Sequence, residues 1–408
     1  MKLRSADRTG MSSLSERRSV VFGLEGLQPE GAVPEATIEA SLGYVRAFAA
    51  REPGLLAGVS LDSSCEPSHL IRHLPDGIAI VPQCGVETAN PVVFHVLSLL
   101  ANRSARSLWP LWARSPSVAL AVSAHDDLTR QALETQTKDK SGRLRASRHR
   151  LVTVADVVVA TSQASALDVV GWAGIDPCRV FVAHQPAGPD RHDASDGDAG
   201  PPRGIFPDGF DPGEGFVLAA ASASSSMHNE VLVQAFASVD PALRSAWRLV
   251  IASSLDQGPG MDRLKALIST LGVDSSVTVL TGLGDRGMRD LYRTCRIAVI
   301  GGVVDGSIGA ALDAASAGAG IVVADHDALM ELVAQPDARY YPTSVDSTRS
   351  VLLRCLTDGE FCRARRSETA DALAGYAESD TAASLLSAYR RALEARARRA
   401  LPAAAASL

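Results

Sequence analysis

Aromatic side chains make up only 5% of the 408 residues, and the six cysteines (Cys65, Cys84, Cys178, Cys295, Cys355 and Cys362) stand singly. None forms a C-x-x-C pair and no histidine sits at zinc-ligand spacing, so a structural metal cluster is not expected. Scattered cysteines in a large chain fit a reducing compartment. No apolar run reaches the ~20 residues needed to span a bilayer. The stretch from Met1 to Arg18 is polar and charged, without the apolar segment of a signal peptide. Basic excess is missing too. At a net charge of −6 the chain carries no global positive field, which disfavours nucleic acid as a partner. These absences together predict a cytoplasmic protein.

What is present is the composition of a soluble globular protein, 46% hydrophobic and 21% charged. Its length exceeds a single core and predicts two domains of ~150–200 residues. Short Val- and Ile-rich runs alternate with helical patterns from Val20 to Phe181. Strands are predicted at Ser19–Gly23, Leu55–Leu61, Gly77–Val81, Val118–Ser123, Val157–Thr161 and Arg179–Ala183, and helices at Pro34–Arg51 and Leu144–Ala155. Their lack of clean alternation suits strands buried on both faces of a parallel sheet. Val92–Val96 reads equally as a strand or as part of a helix over Asn90–Asn102.

From His184 to Gly215 the rhythm breaks into a Pro-, Gly- and Asp-rich stretch, the composition of a linker. A second alternation then runs from strand Phe216–Ala220 through strands Arg248–Ala252, Val277–Leu280, Ile297–Ile300 and Ile321–Ala324. Helices are predicted between these strands and at Val345–Thr357, Glu360–Gly375 and Thr381–Ala400. The boundaries expected are a disordered start at 1–18, a first Rossmann-like domain at 19–183 and a linker at 184–215. A second Rossmann-like domain follows at 216–376, then a C-terminal helix at 377–401 crossing back to the first domain, and a tail at 402–408. The fold class is therefore α/β, with two doubly wound parallel-sheet domains facing a cleft.

The densest chemistry lies at Asp305-Gly306-Ser307-Ile308-Gly309-Ala310-Ala311-Leu312-Asp313, between the strands Ile297–Ile300 and Ile321–Ala324. Two carboxylates stand eight positions apart around a Gly/Ser turn opening into an apolar helix. Backbone N–H groups at such a helix start, with the helix dipole, favour an anion. Ser307 can cap the helix, and Gly309 lets a ligand approach closely. Carboxylates can accept hydrogen bonds from vicinal hydroxyls. Phosphate and diol recognition together suit a nucleotide sugar.

On these residues the chain resembles a glycosyltransferase of family 4, with the GT-B architecture. The family pattern Glu-Gly-Phe-Gly-Leu-Pro-x-x-Glu-Ala corresponds to Asp305 through Ala314, and Gly-x-Pro-Val-Val-Ala to the run from Gly318 to Ala324. Further likenesses are Gly174 to Val180, Val157 to Gln163, and Ser123-Ala124-His125-Asp126 at a strand end. The family's first-domain glycine loop is matched to Ala40-Ser41-Leu42-Gly43-Tyr44. The resemblance implies that Asp305 contacts the transferred sugar and that Asp313 holds the ribose diol. It places Ser307, Ile308 and Gly309 at the diphosphate and His125 at the donor sugar or acceptor. It also implies that His228 and Asn229 stand where the family carries Lys-Asn.

A nucleotide diphosphate sugar is then the co-substrate, a saccharide or lipid-linked molecule the acceptor, and no cofactor or metal is called for. The implied reaction is retaining hexosyl transfer in polysaccharide biosynthesis. The departures matter as well. Both family Glu residues are Asp here, shorter by one methylene. The Arg of the family's cation pair has no counterpart, and a histidine at 228 is only about a quarter protonated at neutral pH. These changes leave open a catalytically lapsed GT-B protein acting as scaffold for an active transferase. The basic run Lys138, Lys140, Arg143, Arg145, Arg148 and Arg150 reads either as a solvated helix face or as a surface resting on anionic lipid at the inner face of the cell membrane.

Overall fold

The computed structural model describes residues 19–25, 27, 35–61, 70, 74–82, 93–99, 105–125, 139–187, 206, 215–220, 229–253, 259–301 and 307–400. The chain divides into two compact units, one of residues 1–186 with 377–408, the other of residues 187–376.

The first unit holds a seven-stranded parallel sheet in the order β3-β2-β1-β4-β5-β6-β7. Its strands are β1 (Val20–Gly23), β2 (Leu56–Leu61), β3 (Ile80–Pro82), β4 (Val93–Val96), β5 (Ala119–Ala124), β6 (Val157–Ala160) and β7 (Val180–Val182). Both faces are covered, which is why the strands read as unbroken apolar runs. Val20, Phe22, Val59, Val93, Ala121 and Val157 face one side, while Val21, Phe94, Leu120, Val122 and Val158 face the other. The second face packs against α2 (Asp139–Val154) and α3 (Gln163–Ala173) through Leu151, Val152, Val169 and Ala173.

The first face is covered by α1 (Glu35–Arg51) and by the last helix of the chain, Glu378–Ala400. That last helix places Leu385, Ala388, Tyr389 and Ala392 on the sheet, a spacing of three, four and seven that defines one helical face. Its far end is anchored by charge. Asp156, fully buried before β6, takes the Leu120 N–H at 2.9 Å and pairs with Arg399 at 3.0 Å and Arg396 at 3.8 Å. Arg396 also donates to the carbonyls of Ser115 and Pro116. The segment Ala40–Tyr44 is not a glycine loop: it lies within α1. Tyr44 is buried and donates its hydroxyl to the Ala183 carbonyl, and Gly43 faces Pro186. The turn that leaves β1 is Gly23-Leu24-Glu25.

The second unit holds a six-stranded parallel sheet in the order β10-β9-β8-β11-β12-β13. Its strands are β8 (Gly215–Ala220), β9 (Trp247–Ala252), β10 (Val277–Leu280), β11 (Ile297–Ile300), β12 (Ile321–Ala324) and the two-residue edge β13 (Arg339–Tyr340). Three helices bear on the argument: α4 (Asn229–Ala237), α5 (Ser307–Ser316) and α6 (Gly359–Ala372). The helix Glu378–Ala400 is α7 hereafter. In both sheets the strand order reverses once, between β1 and β4 and between β8 and β11. Ligands of open α/β sheets bind beyond the strand C-termini at that reversal.

Most of the segment 184–215 lies outside the described residues. His184 belongs to the first unit, where it lies beside the Thr161 carbonyl and accepts the Thr381 hydroxyl on its own carbonyl. Ala187 opens the second unit, donating its N–H to the Tyr376 carbonyl at 2.8 Å. Val93–Val96 is a strand, and no helix spans Asn90–Asn102 within the described residues. In α2, Arg150 is exposed, but Arg148 is buried, so that helix is not a uniformly solvated basic face. Among the described residues no helix is long and apolar enough to cross a membrane.

Candidate active site

In the second unit the strand reversal brings together the ends of β8 and β11, paired in register through Ile297 with Val217 and Val299 with Ala219. The chain leaves β8 and returns as α4 at Asn229; it leaves β11 and returns as α5 at Ser307. Two helices therefore start beyond two adjacent strand ends. The intervening segments, with His228 and Asp305, lie outside the described residues. The first turn of α5 is Ser307, Ile308, Gly309 and Ala310, whose N–H groups have no partner within the helix. Gly309 is buried and Ile308 half-buried.

Asp313 stands six residues into α5, about 9 Å along its axis at 1.5 Å per residue. Its carboxylate is exposed. The buried hydroxyl of Tyr292 is pushed far above its ordinary range, by burial first and by the negative charge of Asp313 second. Asn229 is half-buried at the first position of α4. The structure thus brings Ser307, Ile308, Gly309 and Asn229 to one edge of one sheet, with Asp313 further along the same helix.

His125 is in the first unit, directly after β5, and is buried. Its Nε2 lies 2.8 Å from the Leu97 carbonyl, which can only accept, so Nε2 carries the proton and Nδ1 is the acceptor in the neutral ring. Ser41 of α1 donates to the same carbonyl at 3.3 Å, and its Oγ lies 3.4 Å from Nε2.

One step below stands a group that the sequence did not single out. His95, fully buried in β4, places Nδ1 2.8 Å from the Tyr389 hydroxyl of α7 and Nε2 2.9 Å from Ser123 Oγ of β5. Burial, reinforced by His125, lowers the His95 pKa to about 3. The ring is therefore neutral, and one of its nitrogens donates while the other accepts. The Tyr389 phenol, pushed well above its usual range by burial, stays protonated. A second missed feature is Glu25, buried at the turn after β1 and accepting the Ser60 hydroxyl at 2.6 Å. Its signal was a Gly-rich turn, Gly23 to Gly26, directly after a strand.

Comparisons with known proteins agree with this geometry. Residues 205–370 match the family Glycosyl transferases group 1. Over 241 residues the chain is 24% identical to the serotype-specific mannosyltransferase WbdA of Escherichia coli, a match covering 59% of this chain and 29% of that one. The chain thus spans less than a third of the length of the curated relatives it matches. Among solved structures, Anabaena Alr3699/HepE in complex with UDP and glucose aligns with a TM-score of 0.65 at 15% identity, covering 91% of this chain and 99% of that one. WaaG, a glycosyltransferase involved in lipopolysaccharide biosynthesis, aligns with a TM-score of 0.60 at 14% identity, covering 90% and 98%. Over residues 205–370 the chain is thus similar to the glycosyl transferases group 1, and its two parallel-sheet units have the GT-B fold.

Proposed function

We propose that the protein transfers a hexose from a nucleotide diphosphate sugar to a saccharide or lipid-linked acceptor in glycan biosynthesis, with retention at the anomeric carbon. The observation that carries the reading is the start of α5 beyond β11, beside the end of β8, with Asp313 exposed two turns on. The first-turn N–H groups of Ser307 to Ala310 face the position a diphosphate would take, and the helix start adds roughly half a positive charge. Asp313 accepts from the ribose diol. Asp305 orients the sugar hydroxyls, and His228 and Asn229 support the departing diphosphate. In the first unit, His125 hydrogen-bonds the donor sugar or the acceptor.

In the reaction the bond between the anomeric carbon and the diphosphate oxygen breaks, and the acceptor oxygen bonds to that carbon. The acceptor proton passes to the departing diphosphate. Catalysis is positional and electrostatic, and each oriented charge-stabilising donor contributes ~10²–10³ in rate. The scheme calls for no resident cofactor; the nucleotide sugar is a co-substrate. Peripheral association with the inner face of the cell membrane would bring a lipid-linked acceptor to the protein.

The test is Asp305→Ala, with transfer from labelled donors measured beside thermal unfolding. The reading expects transfer to be lost with unfolding unchanged, and unchanged turnover would sink it. Wild-type protein that neither transfers nor binds any nucleoside diphosphate would mark a lapsed transferase serving as scaffold.

A further inference from the structure

We propose that Tyr389, His95 and Ser123 form a buried positioning chain that makes the last helix of the protein part of the sugar-handling apparatus of the first unit. The inference rests on reading His125 as a substrate-contacting group. Tyr389 is on α7, His95 on β4 and Ser123 on β5, so one imidazole ties three elements together at 2.8 and 2.9 Å. All three side chains are at most 1% exposed.

Because His95 is neutral, the chain has two self-consistent settings. In one, the Tyr389 hydroxyl donates to Nδ1 and Nε2–H donates to Ser123. In the other, Ser123 donates to Nε2 and Nδ1–H donates to Tyr389. Either setting requires all three members, since an imidazole that loses one partner is left with a buried donor or acceptor unmet.

The geometry links this chain to His125. Ser123 lies in β5 with His125 just past the end of that strand, and His95 lies in β4 with Leu97 just past its end. His125 hangs by Nε2–H from the carbonyl of Leu97. The His95 clamp therefore fixes the β4–β5 edge one step before the carbonyl that sets the tautomer and direction of His125. Packing alone does not require the hydroxyls. The Tyr389 ring stacks edge-on against Phe48 at 5.5 Å and His95 at 5.6 Å, contacts that a phenylalanine would retain. A polar chain inside an otherwise apolar face is costly to bury, and here it joins the last helix to the strand that His125 directly follows.

The experiment compares Tyr389→Phe, Ser123→Ala and the double variant in full-length protein. Initial rates are measured with the donor that the wild type uses, and the ring nitrogens of His125 are read by NMR. Each single variant is expected to lower kcat about tenfold, as a small misplacement of a contacting group does, while leaving the donor KM within about twofold. The double variant should be no worse than either single one, because the chain is already broken. His125, held in the Nε2–H form in the wild type, should show a mixture of tautomers in all three.

Unchanged kcat and an unchanged His125 tautomer would overturn the inference. A double variant whose loss is the product of the two single losses would also overturn it, since the two hydroxyls would then act independently. Full turnover in His125→Ala would refute the substrate role of His125, and the tautomer measurement would still decide whether the chain positions that ring.

Discussion

Acidification should destabilise the first unit through His95 in a way that one substitution removes. In the folded protein the imidazole has a pKa of about 3, lowered by burial and by His125, whereas an unfolded chain protonates its histidines near 6.5. Above pH 6.5 both states are neutral at this site and it contributes no pH dependence. Below 6.5 the unfolded chain binds a proton that the folded chain refuses, so stability falls by about 1.4 kcal/mol per pH unit. The decline continues until the pH approaches the folded value. At pH 5 the loss is about 2 kcal/mol, and over the whole window about 5 kcal/mol, a large share of the stability of an ordinary domain.

The assay is urea unfolding at pH 7, 6 and 5 for wild type and His95→Gln, followed by tryptophan fluorescence. Three of the four tryptophans, Trp109, Trp112 and Trp172, belong to the first unit. The variant should be less stable at pH 7, because the Tyr389 and Ser123 contacts are disturbed, yet should lose less on acidification. All other histidines are common to both proteins, so the difference between the two slopes reports His95 together with its coupling to His125. Equal slopes would refute the reasoning.

Two further substitutions test other parts of the account. Gly320→Ala should destabilise the second unit by about 1–3 kcal/mol, because the added Cβ would lie 3.0 Å from the Arg366 amide and 3.2 Å from the Cys362 carbonyl, forcing α6 away from β12; thermal unfolding reads this directly. Asp313→Ala should weaken nucleoside diphosphate binding roughly tenfold to a hundredfold, the worth of a hydrogen bond to a charged group, with no loss of stability at this exposed position. Calorimetry on the variant decides it, and equal affinity would remove Asp313 from the site.

Much of the fold was legible because both sheets are buried on both faces, which writes their strands as short Val- and Ile-rich runs. β10, β11 and β12 lie where the sequence put them, residue for residue. β4 was ambiguous because four apolar residues around a histidine suit a strand or a helix equally; only its pairing with β1 and β5 decides. Helix α3 was passed over although its ends are marked. Ser162 and Ser165 form a reciprocal capping box, and Gly174 closes the helix in a left-handed conformation. β13 has two residues and is too short for any period to show.

The candidate site divides in the same way. Residues close in sequence, from Ser307 to Asp313, were readable as a group because one helix carries them. The glycine loop was misplaced because Gly43-Tyr44 resembles it locally, while the turn after β1 is set by the sheet. The His95–Tyr389 pair is separated by 294 positions. A histidine inside an apolar strand resembles a core residue until the last helix is seen to cover it.

The central claim is that the start of α5 holds the diphosphate of a nucleotide sugar, and amide hydrogen exchange tests it most directly. The wild-type protein is compared with and without each common nucleoside diphosphate at millimolar concentration. The account predicts that at least one of them slows exchange in the first turn of α5, from Ser307 to Ala311, and leaves α6 unchanged. Binding that protects no amide in that turn, or no binding by any of them, would contradict it.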